Sequence, residues 1–142
     1  MTSHSTSRVL AATPPEIFAA FSDPQRLARW WGPAGFTNAN HRCDFVPGGQ
    51  WLLTMHAPTG TSFPNEYRFL EIEPPTTLVL EHLAVPRFRL RITLAPGPTG
   101  TIVSWVQTFE DAETARRLAP VVVPANEQNL DRLSAEVLRT KA

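Results

Sequence analysis

From Arg87 to Leu94 the side chains alternate without a break, with Phe88, Leu90, Ile92 and Leu94 on one parity and Arg87, Arg89, Arg91 and Thr93 on the other. A β-strand sends successive side chains to opposite faces, so this run requires a sheet with one buried face and one wetted face. Residues 77–83 pair with it as a hairpin turning near Val85. That register sets Leu80 opposite Leu90 and Glu81 opposite Arg89, so apolar and charge patterns agree. Glu71, Glu73 and Glu81 on neighbouring strands make the arginine face a solvated, charge-paired surface rather than an anion site, each pair contributing little.

Further strand-like runs cover residues 37–45, 50–56, 66–73 and 101–109, forming an antiparallel meander. Pro47-Gly48-Gly49, residues 58–64, Pro74-Pro75 and residues 96–100 connect them. The Gly48-Gly49 pair lacks the lysine and following helix of a phosphate loop and reads as a tight turn. Residues 7–12 form a weak edge strand. Thr13-Pro14-Pro15-Glu16 then has the composition of a capping box with proline in the first turn, starting a helix with Ile17, Phe18 and Phe21 on one side. Ser22-Asp23-Pro24 ends it, and Asp23 caps a second short helix carrying Leu27, Trp30 and Trp31. Past Asp111 the pattern is helical over residues 113–119 and again from Pro124, with Leu130, Leu133, Val137 and Leu138 on one side. Pro120 and Pro124 are expected to bend or interrupt that helix.

No repeat, charge block or linker divides the chain, so residues 1–142 are expected to form one domain. Lys+Arg and Asp+Glu number 13 each, which argues against nucleic acid or an anionic membrane surface as a partner. Cys43 is the single cysteine; it excludes an internal disulfide, leaves no thiolate cluster for zinc, and fits a reducing cytoplasm. Residues 1–6 are polar, and no apolar stretch approaches the roughly 20 residues of a membrane-spanning helix. No cofactor or metal motif is present.

The separated motifs Val9-Leu10-Ala11-Ala12-Thr13-Pro14-Pro15-Glu16-Ile17-Phe18-Ala19-Ala20-Phe21, Asp23-Pro24, Arg29-Trp30-Trp31-Gly32-Pro33 and Asp44-Phe45-Val46-Pro47-Gly48-Gly49-Gln50-Trp51 carry a resemblance. Met55-His56-Ala57-Pro58, Pro64-Asn65-Glu66 and Pro124-Ala125-Asn126-Glu127-Gln128-Asn129-Leu130-Asp131-Arg132-Leu133 extend it over nearly the whole chain. In this order they are similar to the START-like or birch-pollen-allergen-like (SRPBCC) superfamily, in the branch resembling the C-terminal domain of the heat-shock-protein-90 ATPase activator. The resemblance implies an α+β helix-grip fold: a curved antiparallel sheet wrapped around a long C-terminal helix, with two short helices after the first strand. It also implies a cavity between sheet and helix, and a homodimer is an expectation from the family. The chaperone-activating role belongs to larger relatives with an additional N-terminal domain and is not expected here. Within such a superfamily, fold does not fix function.

In the expected cavity, Trp51, Leu53, Met55 and Phe69 line the early strands, and Leu80, Phe88, Leu90 and Trp105 the later ones. Leu133 faces them from the last helix. His41 shares parity with Ala39, Cys43 and Phe45, and His82 with Leu78 and Leu80, so both are expected to point inward as polar exceptions; His56 points outward. Cys43 is expected to be an inward, unreactive thiol. Asn126, Gln128 and Asn129 fall on the first turns of the final helix, and one or two face the sheet, where sparse amides can orient a ligand. Trp30 and Trp31 point about 100° apart, so one anchors the helix and the other lines the cavity entrance. The preferred function is binding or carriage of a small apolar, aromatic or lipid-like molecule. The alternatives are a cyclase- or hydrolase-like enzyme with His41 as general base, and a partner-binding module with a collapsed interior.

Overall fold

A computed structural model describes residues 2–139 of the chain. Along it run β1 (Ser3–Leu10), α1 (Pro14–Ser22), α2 (Pro24–Trp30), β2 (Thr37–Cys43), β3 (Gln50–His56), β4 (Ser62–Glu73), β5 (Thr77–His82), β6 (Phe88–Gly97), β7 (Gly100–Phe109) and α3 (Ala112–Arg139). The seven strands form one antiparallel sheet in the order β1-β7-β6-β5-β4-β3-β2. The α+β helix-grip arrangement is thus present, with α1 and α2 between the two edge strands and α3 against the inner face.

The expected register holds in detail: Leu80 pairs with Leu90 and Glu81 with Arg89. On the outer face Arg87 meets Glu81 at 2.7 Å and Arg91 meets Glu71 at 3.4 Å. Both early caps form. Thr13 N donates to Glu16 Oε1 at 2.8 Å while Glu16 N donates to Thr13 Oγ1, closing a capping box, and Asp23 Oδ1 accepts from Gln25 N at 2.9 Å. Gly48 takes φ +82°, and a Cβ on Gly49 would meet the Asp44 carbonyl oxygen at 2.0 Å, so this turn requires both glycines.

Several boundaries differ from the sequence reading. β1 begins at Ser3 and β4 at Ser62, so β4 contains Pro64. β5 reaches only as far as Tyr67 of β4, leaving Pro64 without a second neighbour to which its missing N–H would be owed. The β6–β7 hairpin is tighter than expected, with Gly97 paired to Gly100. α3 is one helix with Pro120 and Pro124 inside it. Both prolines are exposed, so the carbonyls they leave unbonded, at Arg116 and Pro120, sit on the water side.

The core is one cluster. Ile17 and Phe21 of α1, Leu27 and Trp30 of α2, and Leu130, Leu133 and Val137 of α3 close over Trp51, Leu53, Phe69, Leu80, Ile92 and Trp105 of the sheet. Each large apolar side chain so buried contributes about 1.5–3 kcal/mol. Cys43 is half-buried against this cluster, and burial first, then the nearby Asp44, pushes its thiol up to about 11.

Two polar contacts fix α2 and the segment after it to α3. Arg132 donates to the carbonyl oxygens of Arg29, Trp31, Gly32, Pro33 and Phe36 at 2.7–3.1 Å, a cation set at the carbonyl end of α2. Burial alone lowers its pKa. One turn on, Glu136 accepts from Arg26, Arg29 and Arg139 at 2.9–3.2 Å. Burial would push the Glu136 carboxyl up, but hydrogen bonds from Arg29, Arg139 and Arg26 outweigh it and hold it at about 2.

Replacing Arg132 with Ala should cost about 3 kcal/mol or more, because the buried Trp31 and Gly32 carbonyls lose their donor. Arg132→Lys should recover less than half of that loss, since one ammonium cannot span five acceptors; urea denaturation with an unchanged slope reads both. For Glu136, the stabilisation is complete above the ordinary carboxyl value of 4.5 and is lost as pH falls from there toward 2. It amounts to about 2 kcal/mol after allowance for screening at Arg29 and Arg139, which are half-exposed. Urea midpoints between pH 6 and 3 should therefore fall more steeply for the native chain than for Glu136→Gln.

Candidate functional site

A cavity of about 140 Å³ remains between the inner sheet face and α3. Its roof is α3, through Val122, Ala125, Asn126 and Asn129. The sheet supplies Met55, Tyr67, Phe88, Leu90, Trp105 and Gln107, and the segment after α2 supplies Trp31, Gly32 and Pro33. Among the described residues no charged side chain lines it.

The segment holding Trp31 and Gly32 is placed by the Arg132 contacts and by two amides of α3. Gly32 N donates to Asn129 Oδ1 at 2.8 Å, and Ala34 N to Gln128 Oε1 at 3.0 Å. Gly32 has φ +99°, a conformation that favours glycine, and a Cβ there would come within 2.9 Å of the mobile end of Met55, its Cε. The wall is aromatic and stiff: Trp31 lies 5.6 Å from Tyr67, edge to face, and 6.0 Å from Trp105, centroid to centroid. Burial pushes the Tyr67 phenol well above its ordinary value, only partly offset by its hydrogen bond with the Trp31 indole.

At the polar end, Asn126 Nδ2 donates to Gln107 Oε1 at 3.0 Å with both residues buried. Asn129, besides holding Gly32, donates from Nδ2 to the Ala125 carbonyl at 3.2 Å. Trp105 carries an Nε1–H that is buried without a hydrogen-bond partner among the described residues.

Of the residues proposed from the sequence, Met55, Phe88, Leu90, Trp105, Asn126 and Asn129 lie on this cavity. Trp51, Leu53, Phe69, Leu80 and Leu133 are in the solid core beside it. Trp30 and Trp31 are both buried, so neither stands at an exposed entrance. Trp30 is an anchor, its Nε1 donating to the Ala20 carbonyl at 2.9 Å, while Trp31 is a cavity wall. The three amides occupy the middle of α3 rather than its first turns, because the helix already starts at Ala112.

His41 does not point inward. Pairing passes from Asn40–Leu53 to Arg42–Leu52, so β2 bulges and His41 is the extra residue. Alternation holds on each side of the bulge but not across it. Before it Asn40 faces in, its Oδ1 accepting from Trp51 Nε1 at 2.9 Å; after it Cys43 does. His41 is left exposed on the outer face, 2.7 Å from Thr54 Oγ1. His82 is buried near the rim as expected, yet it is absent from the cavity wall. Its Nδ1–H donates to the Pro86 carbonyl at 2.9 Å, its Nε2 meets the Asn65 side-chain amide at 2.7 Å, and its ring stacks on Phe88.

Sequence reasoning missed Tyr67, Gln107, Val122 and Ala125. Gln107 had a signal: it shares parity with Val103, Trp105 and Phe109, a polar residue in an inward row. A wider recess of about 570 Å³ lies on the other side of Phe88, but Glu81, Arg87, Arg89 and Glu110 there are paired with one another. Among the described residues no three His, Cys, Asp or Glu side chains are grouped to hold a metal ion, and no helix is long and apolar enough to cross a membrane.

Comparison with known proteins follows the same lines. No curated protein matches the chain. A crystal structure of a Chromobacterium violaceum protein superposes with TM-score 0.83 at 27% identity, over 95% of this chain and 96% of that one. The solution structure of an AHSA1-like protein from Aeromonas hydrophila gives TM-score 0.77 at 24% identity, over 98% and 94%. A Nitrosomonas europaea crystal structure gives 0.88 at 19%, over 98% and 96%, a likeness of fold alone. The family profile described as Activator of Hsp90 ATPase homolog 1-like protein matches residues 11–137, and the chain belongs to that family.

Proposed function

We propose that this protein binds and carries a small, mostly apolar molecule in the cavity between the sheet and α3, without transforming it. The observation that carries the reading is a preformed apolar space with an amide-lined polar end and, among the described residues, no charged group in its wall. Ligand sites commonly have this composition, although this one is smaller than the roughly 300–1,000 Å³ of drug-sized pockets. A dry cavity of about 150 Å³ can hold a molecule the size of benzene.

The enzymatic alternative depended on His41 as a base, and His41 lies on the far side of the sheet. Tyr67 is the titratable group in the wall, and its raised pKa makes it a poor base at neutral pH. The partner-binding alternative depended on a collapsed interior, which the cavity disfavours.

A thermal-shift screen of small aromatic and aliphatic molecules tests the proposal. A ligand present at about 100 times its Kd should raise Tm by about 8 °C, as mass action on the folded state requires. Ala125→Leu, which fills the roof with a good helix former, should abolish the rise while preserving cooperative unfolding. An equal rise in Ala125→Leu, or no rise with any molecule followed through to mass analysis, would overturn the proposal.

A further inference from the structure

The Gln107–Asn126 pair restricts what the cavity can accept. Their single hydrogen bond uses Asn126 Nδ2 and Gln107 Oε1, which leaves Gln107 Nε2 and Asn126 Oδ1 without a partner among the described residues. Both residues line the cavity. Exchanging N and O on both amides changes which residue offers which group, but still leaves one free donor and one free acceptor. The wall thus holds a free donor and a free acceptor in these amides and a second unpaired donor in the Trp105 Nε1–H, a set complementary to a group that carries a carbonyl acceptor and a donor together.

Charge and size narrow the class further. With no cation in the wall, an anionic ligand would be desolvated without a counter-charge, a far larger penalty than burying a neutral polar group. At about 140 Å³ the space is filled by one ring with a short substituent, and a fused pair or a long acyl chain would have to extend out of it. The apolar remainder, from Trp31, Phe88, Leu90 and Met55, suits a flat ring.

We infer that the ligand is a neutral, single-ring aromatic bearing an amide-like donor–acceptor group, held by Gln107 and Asn126. This rests on the carrier reading above.

Calorimetric titration with benzamide, benzoate, toluene and naphthalene-2-carboxamide separates the two claims. Benzamide should bind tightest. Benzoate, nearly the same shape but charged, should bind at least about 100-fold more weakly, and naphthalene-2-carboxamide, whose second ring would extend out of the space, should bind more weakly than benzamide. In the double variant Gln107→Met/Asn126→Leu, which replaces both partners with apolar groups, benzamide affinity should fall by about tenfold. Toluene affinity should stay within about twofold, which also shows that the variant is folded. Asn126→Leu alone, leaving Gln107 unpaired, should weaken benzamide in the same direction. If toluene binds as well as benzamide, if benzoate matches it, or if the double variant binds benzamide unchanged, the ligand class is wrong and the carrier reading stands. If neither benzamide nor toluene binds the native chain, both fail.

Discussion

The architecture of the site depends on one half-buried guanidinium. Among the described residues Arg132 has no carboxylate partner; its charge is answered by carbonyl oxygens from the end of α2 and the segment behind it. The N–H groups of Gly32 and Ala34 in that segment are answered by Asn129 and Gln128, so one face of α3 satisfies donors and acceptors alike. Glu136, four residues after Arg132 and so on the same helical face, extends the stripe to Arg26 and Arg29 of α2. A segment without regular structure can be buried only if its backbone groups find such partners. Here they do, and Trp31, Gly32 and Pro33 become a fixed wall.

The cavity exists because that wall is rigid where the roof is small. Trp31 is wedged among Trp51, Tyr67 and Trp105 with ring centroids 5.0–6.0 Å apart, so it cannot swing in to fill the space. Facing it, α3 presents Ala125 and short amides, while its larger apolar residues Leu130, Leu133 and Val137 are spent on the core further along. Elsewhere the interior is filled: Trp51 and Phe69 stack with planes 7° apart, and Phe21 meets Trp30 edge-on. One end of the grip is thus solid and carries stability, and the other retains room.

Local rules made most of the fold legible. The alternation around Leu90, the Thr13–Glu16 box and the Asp23 cap each act over a few residues, and each appears where the sequence places it. His41 was misplaced by the same rule, because a bulge adds one residue and inverts the parity, and nothing in Asn40-His41-Arg42 marks it. Pro120 and Pro124 read as breaks because the penalty for interior proline is largest where the freed carbonyls are buried, and here they face water. Arg132 resembles any arginine on an amphipathic helix; its role depends on carbonyls far away in the chain. The amides Asn126 and Asn129 were legible as candidates, whereas the pairing of Asn126 with Gln107 is a contact between α3 and β7 that no spacing reveals. Family resemblance supplied the helix-grip frame but not the volume of the space within it.

Nuclear Overhauser effects from a bound aromatic ring provide the most direct test of that space as the binding site. Val121, Val122 and Val123 are consecutive on α3, and Val122 lines the cavity while its two neighbours are exposed. The account predicts cross-peaks from ligand ring protons to the methyl groups of Val122, Leu90 and Met55 and none to Val121 or Val123. Cross-peaks confined to Val121, Val123 or another exposed valine such as Val85 would contradict it, because the ligand would then lie outside the grip.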